Sequence, residues 1–134
     1  MERYLGRYSA SIYAVMRFVA GALFACHGAQ KLFGVLGAKG VASAPLMVAA
    51  GVIEFGAGVL IAVGLWAGFV AFLASGQMAV AYFKAHAPGG LWPIMNGGEL
   101  AVVYCFVFLY IATRGSGSLS LEQLFRGQAP KARS

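Results

Sequence analysis

The chain has 134 residues, of which 60% are hydrophobic and 10% charged, and its 10 Lys and Arg against 4 Asp and Glu give a net charge of +6. A soluble domain carries about 25% charged residues, and at this size its surface is too large to hide so many apolar side chains. The composition argues against a soluble globular domain, a disordered chain and a disulfide scaffold, and it fits a small polytopic membrane protein.

The N-terminal segment leads into a first apolar span from Ile12 to Phe33, with Ser9 and Ser11 available as caps. The second span runs from Leu46 to Val63 after Pro45, the third from Leu65 to Phe83, and the fourth from Ile94 to Thr113 after Pro93. Each is close to the roughly 20 residues that cross about 30 Å of hydrocarbon as a helix. Backbone amides in lipid must pair internally, so the expected fold is all-α, a single four-helix transmembrane bundle. Gly64 alone separates the second and third spans, which predicts an antiparallel hairpin. After the fourth span, Gly115-Ser116-Gly117-Ser118 is a flexible exit, and Ser120-Leu121-Glu122-Gln123 has the spacing of a capping box. Residues 120–126 then form a short interfacial helix with Leu121, Leu124 and Phe125 on the lipid side. The tail from Gly127 to Ser134 is expected to lack fixed structure.

Four spans place both termini on one side. That side carries Arg3, Arg7, Arg114, Arg126, Lys131 and Arg133, while the opposite loops hold Lys39 and Lys84, with Lys31 at the margin. The positive-inside rule then puts both termini in the cytoplasm. Tyr4, Tyr8, Tyr13, Trp66 and Tyr110 fall on an inner aromatic belt, and Phe33, Tyr82 and Trp92 on an outer one. The basic residues form no cluster and are not interleaved with aromatics, so nucleic acid is not an expected partner. Leu23-Phe24-Ala25-Cys26 loosely resembles a lipoprotein cleavage box, but Phe24 is bulky for it and Lys31 follows closely. Cys26 and Cys105 both lie in apolar stretches, where a buried thiol behaves as a small hydrophobe. Gly21, Gly28, Gly51, Gly58, Gly64 and Gly68 permit close helix approach, either within the chain or between copies of it.

The informative residues are the ionisable ones inside the spans: Arg17, His27, Lys31, Glu54 and Glu99. Each costs roughly 2.5–3.5 kcal/mol on insertion scales, so each is expected to face the bundle interior and a partner. At 1.5 Å per residue, His27 lies about 9 Å below the outer boundary, Glu99 about 8 Å, Gln77 about 9–10 Å, Glu54 about 12 Å and Lys31 about 3 Å, with Asn96 similarly shallow. Four helices thus contribute polar groups to one layer. His27, Gln30 and Lys31 share a face, as do Asn96 and Glu99. Arg17 lies nearer the inner end, within reach of Glu54 or of lipid phosphates.

Two readings fit this layer. One is a buried network that fixes helix order, supported by Arg17 and Gln30. The other is a polar pocket for a lipid or small-molecule headgroup, and a quinone suits it. Its carbonyls would need donors such as His27, Lys31 and Gln77, and its reduction would need proton carriers such as His27, Glu54 and Glu99. No metal site is expected, since His27 is the only histidine inside a span and Cys26 has no clear co-ligands. No intrinsic cofactor is evident, and no catalytic residue is assigned.

At these residues the sequence resembles the DoxX/DoxD family of small four-span membrane proteins. The matching elements are Arg17, His27-Gly28-Ala29-Gln30-Lys31-Leu32-Phe33, Glu54 in Val52-Ile53-Glu54-Phe55-Gly56-Ala57-Gly58, the run Leu60 to Leu65, Asn96-Gly97-Gly98-Glu99, and the closing Gly115-x-Gly117-x-x-Ser120-Leu121. Glu122 stands where family members often place Asp. The resemblance implies a bundle in the cytoplasmic (inner) membrane. Some relatives resemble the small subunit of a thiosulfate:quinone oxidoreductase, and others associate with redox or detoxification complexes. The function this implies is that of a subunit or accessory protein of a quinone-linked complex, with other membrane or redox subunits as partners. A non-catalytic assembly subunit is the first alternative, and a small proton-coupled transporter is the second.

Overall fold

The computed structural model describes residues 1–127, and the described residues are helical without strands. A short helical turn (Glu2–Leu5) and a 3-10 turn (Gly6–Tyr8) lead into α1, Ser9–Phe33. There follow α2, Pro45–Val63; α3, Ala67–Ala81; α4, Glu99–Arg114; and α5, Leu121–Gly127. The continuous stretch Glu2–Phe33 and α2 are long and apolar enough to cross a membrane by length and composition. The tail beyond Gly127 lies outside the described residues, and Gly127 itself closes α5 rather than opening the tail.

Local chemistry sets the boundaries. Gly34 ends α1 in the left-handed region at φ 65°. Pro45 opens α2 at its first turn, where its missing amide hydrogen costs nothing. Gly64, at φ 72°, ends α2 in a Schellman arrangement: its N–H bonds the Ile61 carbonyl, and the Leu65 N–H bonds that of Leu60. Trp66 also adopts a left-handed backbone, so the turn is tight and α3 starts at Ala67, two residues later than expected. Ala67 N–H is capped not by its own N-cap residue but by Ser116 Oγ, 3.2 Å away across the chain.

The expected fourth span is interrupted. Pro93–Asn96 forms a separate helical turn, Gly97 turns left-handed at φ 72°, and the long helix begins only at Glu99. Its 16 residues rise about 24 Å, short of a full hydrocarbon core on their own. At the other end of α3, the chain continues through a π-helical turn, Tyr82–His86, before a 3-10 turn at Ala87–Gly89.

The tightest packing joins α1 to α2. Arg17, Gly21, Phe24, Gly28 and Lys31 recur at three- and four-residue steps along α1, and Gly51, Glu54, Gly58 and Ile61 do the same on α2. A Cβ on Gly21 would sit 2.5 Å from Ala62 N and 2.7 Å from Gly58 O, and one on Gly28 would strike the Phe55 and Gly51 backbone. Only glycine allows this approach. α4 lies along α3, and an aromatic column of Phe24, Tyr104 and Phe108 fills the space between the two helix pairs, with ring centroids 4.7–5.5 Å apart. Phe18, Leu23, Val52, Phe69, Phe72, Val103 and Phe106 point outward and are exposed. A water-soluble monomer rarely shows so continuous an apolar exterior, whereas in lipid it is the ordinary arrangement.

Candidate ligand pocket and its opposite pole

α1 and α2 place a cation against an acid at one end of the bundle. Lys31 Nζ donates to both oxygens of Glu54, at 2.5 Å each. Glu54 is 2% exposed, while the Lys31 side chain keeps 27% of its surface. The arrangement follows from the seam: Lys31 Cβ lies 3.0 Å from the position a Cβ on Gly51 would occupy, so the lysine stem passes over a glycine to reach the next turn of α2. From α3, Gln77 Nε2 donates to Glu54 Oε1 at 3.0 Å. Its amide oxygen, Oε1, is buried and meets no donor among the described residues. Reversing the amide would set two oxygens against each other, so the orientation is fixed by the carboxylate.

These groups border a cavity of about 380 Å³. His27 borders it too, half-buried, with its ring edge-on to Tyr104 at 6.1 Å and no hydrogen bond to either nitrogen among the described residues. Apolar walls come from Phe24, Leu46, Met47 and Met78, and the π-turn contributes Lys84 and His86. The volume lies in the usual range for small-molecule sites, and so does the pattern of a few polar groups on apolar walls. The described residues include no cluster of His, Cys, Asp and Glu that could hold a metal.

Of the expected site residues, His27, Lys31, Glu54 and Gln77 are thus brought together around one cavity, and the others are not. Glu99 is exposed in the first turn of α4, where a carboxylate complements the helix dipole, and it does not border the cavity. The break at Gly97-Gly98 is the reason: it uncouples Asn96 and Glu99 from a single helical face. Asn96 instead ties the segment after α3. Its Nδ2 donates to Gly90 O at 2.6 Å and to the Tyr82 hydroxyl at 3.3 Å, and its Oδ1 accepts from Gly98 N–H at 2.8 Å. Gln30 turns away to donate to Leu36 O at 2.9 Å. Tyr104, Lys84 and His86 join the cavity without having been expected there. Tyr104 has the residue type to be noticed and Lys84 the spacing, seven residues after Gln77, but the face given to His86 depends on the π-turn, which no spacing rule shows.

Arg17 marks the opposite pole. It is 1% exposed and binds neither Glu54 nor an exposed surface. Its NH1 donates to the carbonyls of Ile61 (2.6 Å) and Ala62 (2.8 Å), and its NH2 to Leu119 O at 2.9 Å. The guanidinium therefore caps the negative end of α2 and fastens the exit loop to it. Ser120 Oγ accepts from Gln123 N–H at 3.2 Å, the expected cap of α5. Ser116 Oγ also donates to Glu122 at 2.5 Å, and Arg126 donates to the same carboxyl at 2.6 Å.

DoxX matches residues 12–87, more than half the chain. An uncharacterized protein of Haemophilus influenzae is 36% identical over 128 residues, covering 90% of this chain and 96% of that protein. No solved structure matches. With the glycine seam and the Lys31–Glu54 pair inside the matched region, the chain belongs to the DoxX family of membrane proteins.

Proposed function

We propose that the chain is a four-span inner-membrane protein with both termini in the cytoplasm, and that it serves as a small subunit or accessory protein of a quinone-linked redox complex. In this reading the cavity at the Lys31–Glu54 end receives the quinone headgroup. One observation carries it: the buried Gln77 Oε1 is an acceptor without a donor among the described residues, at a cavity whose rim also offers His27, Lys84 and His86. A buried polar atom left unpaired is costly, and such atoms concentrate where a ligand completes the set. The site offers both hydrogen-bond polarities, which suits a ring that presents carbonyls when oxidised and hydroxyls when reduced. Phe24, Met78 and Tyr104 give the ring apolar walls, and the exposed apolar exterior gives its tail a lipid path. A bound quinone would supply the two-electron couple, and the chain would hold its oxygens and exclude water, with a partner subunit delivering electrons.

A second reading, an assembly subunit, is favoured by the Lys31–Glu54 pair itself, which is doubly bonded, buried on the Glu54 side and joins α1 to α2. One experiment separates them. Protein purified in mild detergent is extracted with organic solvent, and quinone is quantified from its oxidised-minus-reduced absorbance. Stoichiometric quinone, lost in a folded Gln77→Leu or His27→Ala variant, supports the pocket. A folded protein with quinone no higher than its detergent micelles leaves the assembly role.

A further inference from the structure

We propose a second, independent site at the opposite end of the bundle, which takes the phosphate of an anionic phospholipid. A cleft of about 720 Å³ opens where α2 turns into α3 and α4 meets the exit loop. It is bordered by two guanidinium groups, Arg114 at the end of α4 and Arg126 on α5, and by Trp66 and Phe69, which are 65% and 69% exposed. Arg114 is held in place at the cleft's edge: its Cζ lies 5.3 Å from the Tyr13 ring centroid, and Tyr13 is itself anchored by its hydroxyl to Gly115 O at 2.5 Å. The one acid bordering the cleft among the described residues, Glu122, is engaged by Ser116 and Arg126. Arg114 forms no salt bridge among the described residues, so the cleft keeps an excess of positive charge.

The reason for a lipid rather than a free anion is the adjoining surface. A second, apolar hollow of about 510 Å³ shares Ser120 and Gln123 with the cleft and is bordered by Val63, Leu119 and Leu124. A cationic slot beside an apolar trough, at the helix ends of a membrane protein, matches an amphiphile with a phosphate head and an acyl chain. Guanidinium groups pair with phosphate oxygens through charge-assisted, bidentate bonds. Exposed Trp and Phe at this level are the residues that settle at the membrane boundary.

The test uses the full chain in detergent, titrated with short-chain phosphatidylglycerol, with phosphatidylcholine, and with inorganic phosphate as competitor, and read by native mass spectrometry. Phosphatidylglycerol is retained in preference to phosphatidylcholine. Arg114→Gln weakens that retention about ten-fold, the loss of one charge-assisted contact. Arg126→Gln weakens it less, and Lys39→Gln, on an exposed loop at the far end, leaves it unchanged. Folding of each variant is checked by its helical circular dichroism. Equal retention of the two lipids, or a preference that survives both Arg114→Gln and Arg126→Gln, overturns the proposal. Displacement by inorganic phosphate at the same concentration as phosphatidylglycerol also overturns it, since the trough would then play no part. Because this site shares no residue with the quinone cavity, either can fail without the other.

Discussion

Lys31 and Arg17 sit near opposite ends of α1 on the same seam toward α2, yet they are accommodated differently. Lys31 meets a carboxylate, with a glutamine as third member and a cavity beside it. Arg17 meets only backbone carbonyls at a helix end. A side-chain partner leaves polar surface beside a cavity, where a small molecule has room to meet it. Carbonyls at the end of a helix cannot be mutated away, and a guanidinium bonded to them joins α1, α2 and the exit loop into one unit. One end is built for contents and the other for closure.

The largest loss of stability is expected for Arg17→Met. Three carbonyl acceptors lose a charged donor, and the helix dipole of α2 loses its counter-charge. Hydrogen bonds to charged groups contribute about 1.5–3 kcal/mol each, with partial replacement by water, so a loss of roughly 3–5 kcal/mol is expected. Thermal unfolding in detergent measures it, and a change below about 1 kcal/mol would mean that the carbonyls find water easily and the cap is incidental.

At the other end the effect is smaller and reversible by a second substitution. Lys31→Met leaves Glu54 buried without its cation, and roughly 2–3 kcal/mol is expected, less than for a fully buried pair because Lys31 is itself partly exposed. Adding Glu54→Leu removes the stranded acid, and the double variant returns to within about 1 kcal/mol of the parent, as apolar replacements of buried ion pairs do. If the cavity takes a quinone as proposed, stability is recovered in this variant while quinone retention is not. A double variant less stable than either single one would assign the pair to the scaffold.

The seam was legible because both ingredients are periodic. Gly21, Gly28, Gly51 and Gly58 recur at seven-residue steps, and His27, Glu54 and Gln77 converge at one depth when counted from the span ends, with Lys31 one turn above His27 on the same face. That count needs only the rise of a helix. It failed for Asn96 and Glu99 because it assumed an unbroken fourth helix, whereas the Gly97-Gly98 pair inside the span breaks it. The partner of Arg17 was illegible for another reason. Charge patterns point to other charges, and backbone carbonyls at a helix end carry no residue identity. Lys84 follows Gln77 by seven residues, about two helical turns, so the same periodicity places it on the cavity side, whereas His86 reaches the cavity through the π-turn, which no spacing rule shows.

Gln77→Leu acts at the same end with a smaller energy. It removes one bond to Glu54, a long one to the Ala50 carbonyl at 3.4 Å, and an oxygen that has no donor among the described residues, changes of opposite sign, so stability should shift by less than about 1 kcal/mol. Quinone retention should fall about ten-fold if that oxygen serves the ligand, the equivalent of one hydrogen bond. Unchanged retention would leave the orphan oxygen without a role.

The smallest effect lies on α5, the part of the closed end that reaches the surface. Glu122 is held below its ordinary value of 4.5, chiefly by the hydroxyl of Ser116 and to a lesser degree by Arg126. A carboxyl whose folded value is depressed stabilises the fold above its unfolded value, and that contribution is lost as the pH falls through the folded one. Attachment of α5 should therefore be complete at neutral pH and loosen only below 4.5. Trp66 borders the same cleft and reports on it by its fluorescence once Trp92 is replaced by Phe. The acid transition should disappear in Glu122→Gln. It should move upward in Ser116→Ala, and less so in Arg126→Gln, because the hydroxyl is the larger cause. If Ser116→Ala leaves the midpoint in place, the Ser116 bond does not hold α5 at all. The attachment would then rest on the Ser120 cap and on the bond from Glu122 N–H to Gly64 O, neither of which titrates.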